Sequence, residues 1–290
     1  MSPQAPNGIE AAGGARRVLV ALDASGSSLD LIERTFEQAA RIARRLEAEL
    51  VGLFVEDRLL FELGPLHEIG TFSGALRTLD RAAVDRSLRT QGALVRARLA
   101  RRAASAHVRW SFRCVRGSVV DELLLQASEG ELFVLGRSGR PSRRRRTLGS
   151  VARALLPRLP RSVLLLTREG GAEAPPGQAV VLHEGTPAFE RALAVAIRLG
   201  AGERGIAVLP IEPAAGDQSG APEGADRVLP DLPSQVEVLP ACASAPASIV
   251  EALRARPTGV LVVPKSGALA RPATLVELAE GLDAPLLVVE

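Results

Sequence analysis

Short apolar runs separated by helical periodicity, in an order that repeats once, constrain this chain more than any other feature. The runs of the first series are 16–23 (RRVLVALD), 49–55 (ELVGLFV), 108–115 (VRWSFRCV), 132–135 (LFVL) and 162–166 (SVLLL). Between the first two, Leu29, Ile32, Phe36, Ala39, Ala40, Ala43 and Leu46 recur at helical spacing. Further helices are expected over 73–104, from 117 to 127 and over 149–156, while 58–72, with two glycines and a proline, reads as irregular. Continuous apolar strands alternating with helices are the mark of a parallel sheet covered on both faces. Run 108–115 alternates apolar and polar residues and suits an edge strand. The series β-α-β-α-β-α-β-α-β predicts a doubly wound sheet, with ligands beyond the carboxyl ends of its strands.

After a Gly/Pro-rich linker at 169–177, the order returns: strands at 179–184, 205–210, 236–239, 260–263 and 285–289, and helices at 189–199 and 248–255. The proline-rich stretch 211–233 replaces the long second helix with a loop. The predicted fold class is α/β, with two tandem doubly wound five-stranded parallel-sheet domains of Rossmann-like type, the second shortened. The expected boundaries are a disordered tail at 1–14 and domains at 15–168 and 178–290. Strands 162–166 and 285–289 would be apolar edges, which invite aggregation unless paired.

A length of 290 residues suits two domains. No apolar run is long enough to span a membrane, and the polar N-terminus has no secretory pattern, so a cytoplasmic protein is expected. Cys114 and Cys242 form no pairing framework and read as small buried thiols in strands. His67, His107 and His183 are scattered, and no metal site is expected. Charge divides the chain. Residues 1–168 hold 28 Arg against 17 acidic residues, a net of +11, whereas 169–290 carry a net of −8. The first half should therefore attract anions.

The loop that follows the fourth strand reads Gly136-Arg137-Ser138-Gly139, then nine residues, then Gly149-Ser150-Val151. Glycine after a buried strand lets a ligand approach the backbone. A helix opening at Gly149-Ser150 offers free N–H groups and the positive end of its dipole to a phosphate. Ser150 could cap that helix or donate to a phosphate oxygen. Arg143–Arg146 allow a solvated basic loop, a phosphate clamp or a nucleic-acid contact.

At this G-x2-G-x9-G-S spacing, together with the Val-Leu-Val-Ala-Leu-Asp of the first strand, the chain resembles the universal stress protein family. The resemblance covers about residues 16–168 well and the rest weakly, as a tandem member with a degenerate second domain. It implies an adenine nucleotide alpha hydrolase-like fold and a bound ATP or AMP, with Mg2+ an option beside ATP. It also implies a regulatory, stress-response role with at most slow hydrolysis. Carried over by position, Ala21, Leu22 and Asp23 would meet adenine and ribose, assisted by Ser25, and Val55 would line the adenine pocket. Leu135, Gly136, Arg137, Ser138 and Gly139 would pass beside ribose and phosphates, and Gly149, Ser150 and Val151 would hold the phosphates. Asp23 also reads as a helix cap. Asp23 and Glu56 lie near this site, but neither is an obvious general base.

The second copy has Pro264 at the first glycine position, no Gly-Ser opening its next helix, and Glu184 near the Asp23 position, so it is expected to bind no nucleotide. Two rivals differ in class. Residues 25–30 (SGSSLD) loosely resemble the phosphate loop of ATP pyrophosphatases, which would make the chain an adenylating enzyme. An Arg-rich face could bind nucleic acid, although no aromatic RNA-binding pattern accompanies it. Regulation implies a protein partner of unspecified identity and leaves a homodimer open.

Overall fold

The computed structural model describes residues 16–23, 29–63, 68–70, 76–78, 81–127, 132–136, 148–158, 160–166, 177–199, 205–212, 236–254 and 256–290. The first half comprises β1 (Arg17–Asp23), α1 (Leu29–Arg45), β2 (Glu49–Asp57), α2 (Arg58–Leu63), β3 (Glu68–Gly70), β4 (Leu76–Thr78), α3 (Arg81–Ser105), β5 (Trp110–Gly117), α4 (Val119–Ala127), β6 (Leu132–Gly136), α5 (Ser150–Leu155) and β7 (Ser162–Leu166). The second comprises β8 (Gln178–His183), α6 (Ala188–Arg198), β9 (Ile206–Glu212), β10 (Val236–Val238), β11 (Cys242–Ala243), α7 (Pro246–Arg254), β12 (Thr258–Pro264), α8 (Pro272–Gly281) and β13 (Leu286–Val289).

One 11-stranded sheet joins the halves in the order β10-β9-β8-β12-β13-β7-β6-β1-β2-β5, with β11 beside β9. Every pairing in it is parallel except that of β13 with β7, which sets Leu286, Leu287 and Val288 against Leu165, Leu164 and Val163. The two fifth strands thus cover each other's edges. Because that joint is antiparallel, the carboxyl ends of the two halves lie at opposite edges of the sheet.

Helices cover both faces. Ile32, Phe36, Ala39, Ala40 and Ala43 of α1, Val95, Leu99 and Ala103 of α3, and Phe189, Ala192 and Ala196 of α6 share one core with alternate strand residues. The other core takes Val119, Leu123 and Ala127 of α4, Ala152 and Leu155 of α5, Ile249 and Leu253 of α7, and Leu275 and Leu278 of α8. Strand alternation divides each central strand between the two cores, which is why its sequence reads as continuously apolar. At Gly52 in β2, a Cβ would stand 2.4 Å from Leu99 Cδ2, so glycine lets α3 lie close on the sheet. Helices α1 and α3 end at the left-handed residues Glu47 (φ 53°) and His107 (φ 54°). The following amides of Ala48 and Val108 turn back to Ala43 O and Ala103 O.

Four expectations are corrected. Residues 58–72 are not wholly irregular: Arg58–Leu63 is helical, and Glu68–Gly70 pairs antiparallel with Leu76–Thr78, so the segment 73–104 is not one helix but has a strand at Leu76–Thr78 and is helical from Arg81. These elements are too short for periodicity to reveal them. The third strand of the second half is followed by β11, two residues paired with β9. The cysteines lie on strands but are not buried. Cys114 is exposed on the edge strand β5, and Cys242 is half-buried on β11. Edge strands have one open face, which the composition of a single residue cannot report.

Candidate functional site

In the first half, the crossovers after β1 and β2 place α1 and α3 on one face of the sheet, and those after β5 and β6 place α4 and α5 on the other. The crossovers part between the neighbours β1 and β6, which leaves a crevice at their carboxyl ends. β1 ends at Asp23, in register with Val55 of β2. β6 ends at Gly136, in register with Leu166 of β7. Ala21 and Leu135 lie one step beyond the Val20–Val134 pair of these two strands. Ala21, Val55 and Leu135 belong to the core under α4 and α5, and Val151 packs against it. The structure therefore brings these four proposed residues to one face at the switch point. Leu22 and Asp23 are in place by backbone. Ser25, Arg137, Ser138, Gly139 and Arg143–Arg146 lie outside the described residues.

Gly136 has no described atom within 4 Å of where a Cβ would stand. The helix after the loop starts at Ser150, with Gly149 as its extended N-cap (φ −60°, ψ 153°) and no side chain capping it. Ser150 is thus the first helical residue rather than the cap, and it is exposed. The first N–H groups of a helix have no partner within it, so this end can receive an anion.

The second half contributes one contact that the motif does not include. Glu280 Oε1, at the end of α8, accepts the Leu148 N–H at 3.0 Å and also a hydrogen bond from Arg153 Nη2. Leu148 immediately precedes Gly149. No local pattern could have revealed this pair, because its members stand 132 residues apart.

Alternation turns Glu56 to the face opposite Val55. It is 6% exposed. Arg116 Nε and Nη2 both donate to Glu56 Oε2, at 2.8 and 2.7 Å, and Arg116 Nη2 also reaches Asp85 Oδ1 of α3 at 2.7 Å. Cys114 Sγ lies 3.6 Å from Glu56 Oε1. These bonds hold Glu56 in a network on that face, away from Val55. Partial burial of its sulfur, together with the Glu56 carboxylate, holds the Cys114 thiol pKa above its ordinary value, against the pull of Arg116.

The matching place in the second half is filled from within. Glu184 follows β8 and accepts the Leu269 N–H at 3.2 Å, and Thr186 Oγ1 and Ser266 Oγ are 2.8 Å apart. Gly267, at φ 59°, lies so close to Glu184 that a Cβ would stand 2.6 Å from its Oε2. His183 is buried against Phe189, with ring centroids 4.3 Å apart.

A family model for the universal stress protein family matches residues 14–167. The chain belongs to the universal stress protein family. The universal stress protein fold extends over both halves of the chain. A universal stress protein from Archaeoglobus fulgidus DSM 4304 superposes with a TM-score of 0.64 at 14% identity, over 94% of this chain and 96% of that one. A putative universal stress protein from Pseudomonas aeruginosa UCBPP-PA14 gives a TM-score of 0.56 at 14% identity, over 95% and 93%. No curated protein matches the chain in sequence. Among the described residues, no helix is long and apolar enough to cross a membrane.

Proposed function

We propose that this universal stress protein binds one adenine nucleotide, ATP or AMP, at the switch point of its first half and acts as a cytoplasmic regulatory protein. Adenine and ribose would lie at the carboxyl ends of β1 and β2, against Ala21, Leu22, Asp23 and Val55, with Ser25 assisting. The phosphates would lie between Leu135–Gly139 and Gly149–Val151. The observation that carries this reading is the meeting of two features at one place. The loop with G-x2-G-x9-G-S spacing starts at Gly136, and Gly136 ends β6 beside the crevice where the crossovers part. No described atom lies within 4 Å of where a Gly136 Cβ would stand, and no side chain caps the start of α5, which suits a phosphate chain. Among the described residues, no group of three or more His, Cys, Asp or Glu could hold a metal, so Mg2+ would depend mainly on the phosphates.

In this reading residues 15–168 form the binding domain and 178–290 a degenerate copy whose own side chains, Glu184 foremost, occupy the corresponding place. The test is thermal unfolding with millimolar ATP, AMP and adenosine. A ligand that binds only the native state raises the melting temperature, by about 2.7 kcal/mol of added stability at a hundredfold excess over Kd. No rise with any of the three overturns the reading.

A further inference from the structure

We infer that Glu280 is a positioning residue for the phosphate end of the first half's site, so that the second half sets the affinity for phosphorylated ligands without binding them. The inference rests on the nucleotide reading above. Glu280 is the only acidic side chain that the described residues bring to this loop's return. One of its two oxygens, Oε1, accepts both bonds and ties the last residue before the helix cap to a side chain of α5. Leu148 is 6% exposed, so its N–H is costly to leave unfilled. An exposed pair of Arg153 with Glu280 would by itself add little. The amide bond is what distinguishes this contact, because it fixes the backbone where the chain enters Gly149-Ser150. Arg153 compensates the carboxylate, so Glu280 can stand near an anion site without opposing an anion there. Leu275, Leu278 and Ala279 of α8 are buried in the core that also takes Ala152 and Leu155 of α5, which holds the helix that carries Glu280 in place. Linkage requires the converse: a phosphorylated ligand in the first half strengthens the contact between halves.

Calorimetry on the full chain with ATP and with adenosine tests this. Glu280→Ala should raise the Kd for ATP about tenfold or more and leave adenosine within about twofold, since charged hydrogen bonds of this type carry that much. Glu280→Gln keeps an oxygen that can accept both donors and should restore most of the ATP affinity. Hydrogen exchange, with no ligand present, should show the Leu148 amide deprotected in Glu280→Ala and protected in Glu280→Gln. Unchanged ATP affinity in Glu280→Ala overturns the inference, as does an equal loss for ATP and adenosine that Gln does not rescue. A wild-type chain that binds neither ligand overturns the nucleotide reading, and the inference with it. A wild-type chain that binds ATP, matched by a Glu280→Ala chain that binds it equally well, overturns the inference alone.

Discussion

Leu164 of β7 and Leu287 of β13 face each other across the antiparallel joint, both buried in the core beneath α1 and α6. They make the two halves one sheet and one hydrophobic layer. Leu287→Ala removes buried methyl groups and leaves a cavity, at a cost of about 2–5 kcal/mol. The melting temperature should then fall on the order of 10 °C, in a single calorimetric transition. Two separated transitions, with only one displaced, would show that the halves unfold independently and that the joint does not couple them.

Glu33 on α1 gives a pH-dependent prediction. It meets Arg98 at 2.8 Å, Arg101 at 3.3 Å and Arg102 at 2.8 Å, all on α3. Desolvation raises its pKa, but the hydrogen bond from Arg102 and the three positive charges outweigh it, so the folded pKa lies below the ordinary carboxylate value. A depressed pKa stabilises the fold above the unfolded-state value and loses that effect as pH falls through the folded value. Glu33→Gln should therefore lower stability at pH 7, and the gap to wild type should close as pH drops below about 4. A gap of constant size from pH 7 to pH 3 would mean that the cluster does not act through the charge of Glu33.

Much of this molecule can be read from local pattern, and the exceptions share a cause. Every strand of the sheet except β11 matches a run read from the sequence, and the central ones read as continuously apolar because they are buried on both faces. Run 108–115 announced its edge position by alternation, although Cys114 within it looked like an interior residue. The hairpin of β3 and β4 left no period, being three residues a strand. Of the site, Ala21, Val55, Leu135, Gly136 and the start of α5 can be placed from sequence because strand ends and glycine spacing mark them. Glu280 cannot, since it is one acidic residue near the end of an ordinary helix and its importance depends on a partner in the other half. The binding of Glu56 by Arg116 is equally silent, because it is set by the register of β2 on β5.

Gly136 separates folding from binding. A methyl group there meets no described atom within 4 Å, so Gly136→Ala should leave the melting temperature within about 1 °C, as a surface change would. If a phosphorylated ligand passes against that backbone, the same methyl group should weaken ATP binding about tenfold or more. Thermal unfolding and calorimetry on one variant decide the matter. Unchanged ATP affinity in a folded Gly136→Ala chain would mean that the ligand does not approach β6, and the site would have to be sought elsewhere on the switch point.

The second half offers the sharpest count. Glu184 already accepts from the loop amide of Leu269, and Pro264 stands at the first glycine position. Titration of the wild-type chain should give one nucleotide per chain. Glu184→Ala removes the acceptor for the Leu269 N–H, and Leu269 is fully buried. Stability should fall by about 1–3 kcal/mol, the cost of a buried donor left unfilled. It should not create a second nucleotide site, because the glycine that admits a phosphate is missing and Pro272, the first residue of α8, takes one N–H away from that helix start. Gly267→Ala should destabilise as well, since φ 59° disfavours a side chain and its Cβ would collide with Glu184. Two nucleotides bound per wild-type chain would show that the second half is a working site. Two bound only after Glu184→Ala would show that this one carboxylate, and not the lost motif, keeps nucleotide out.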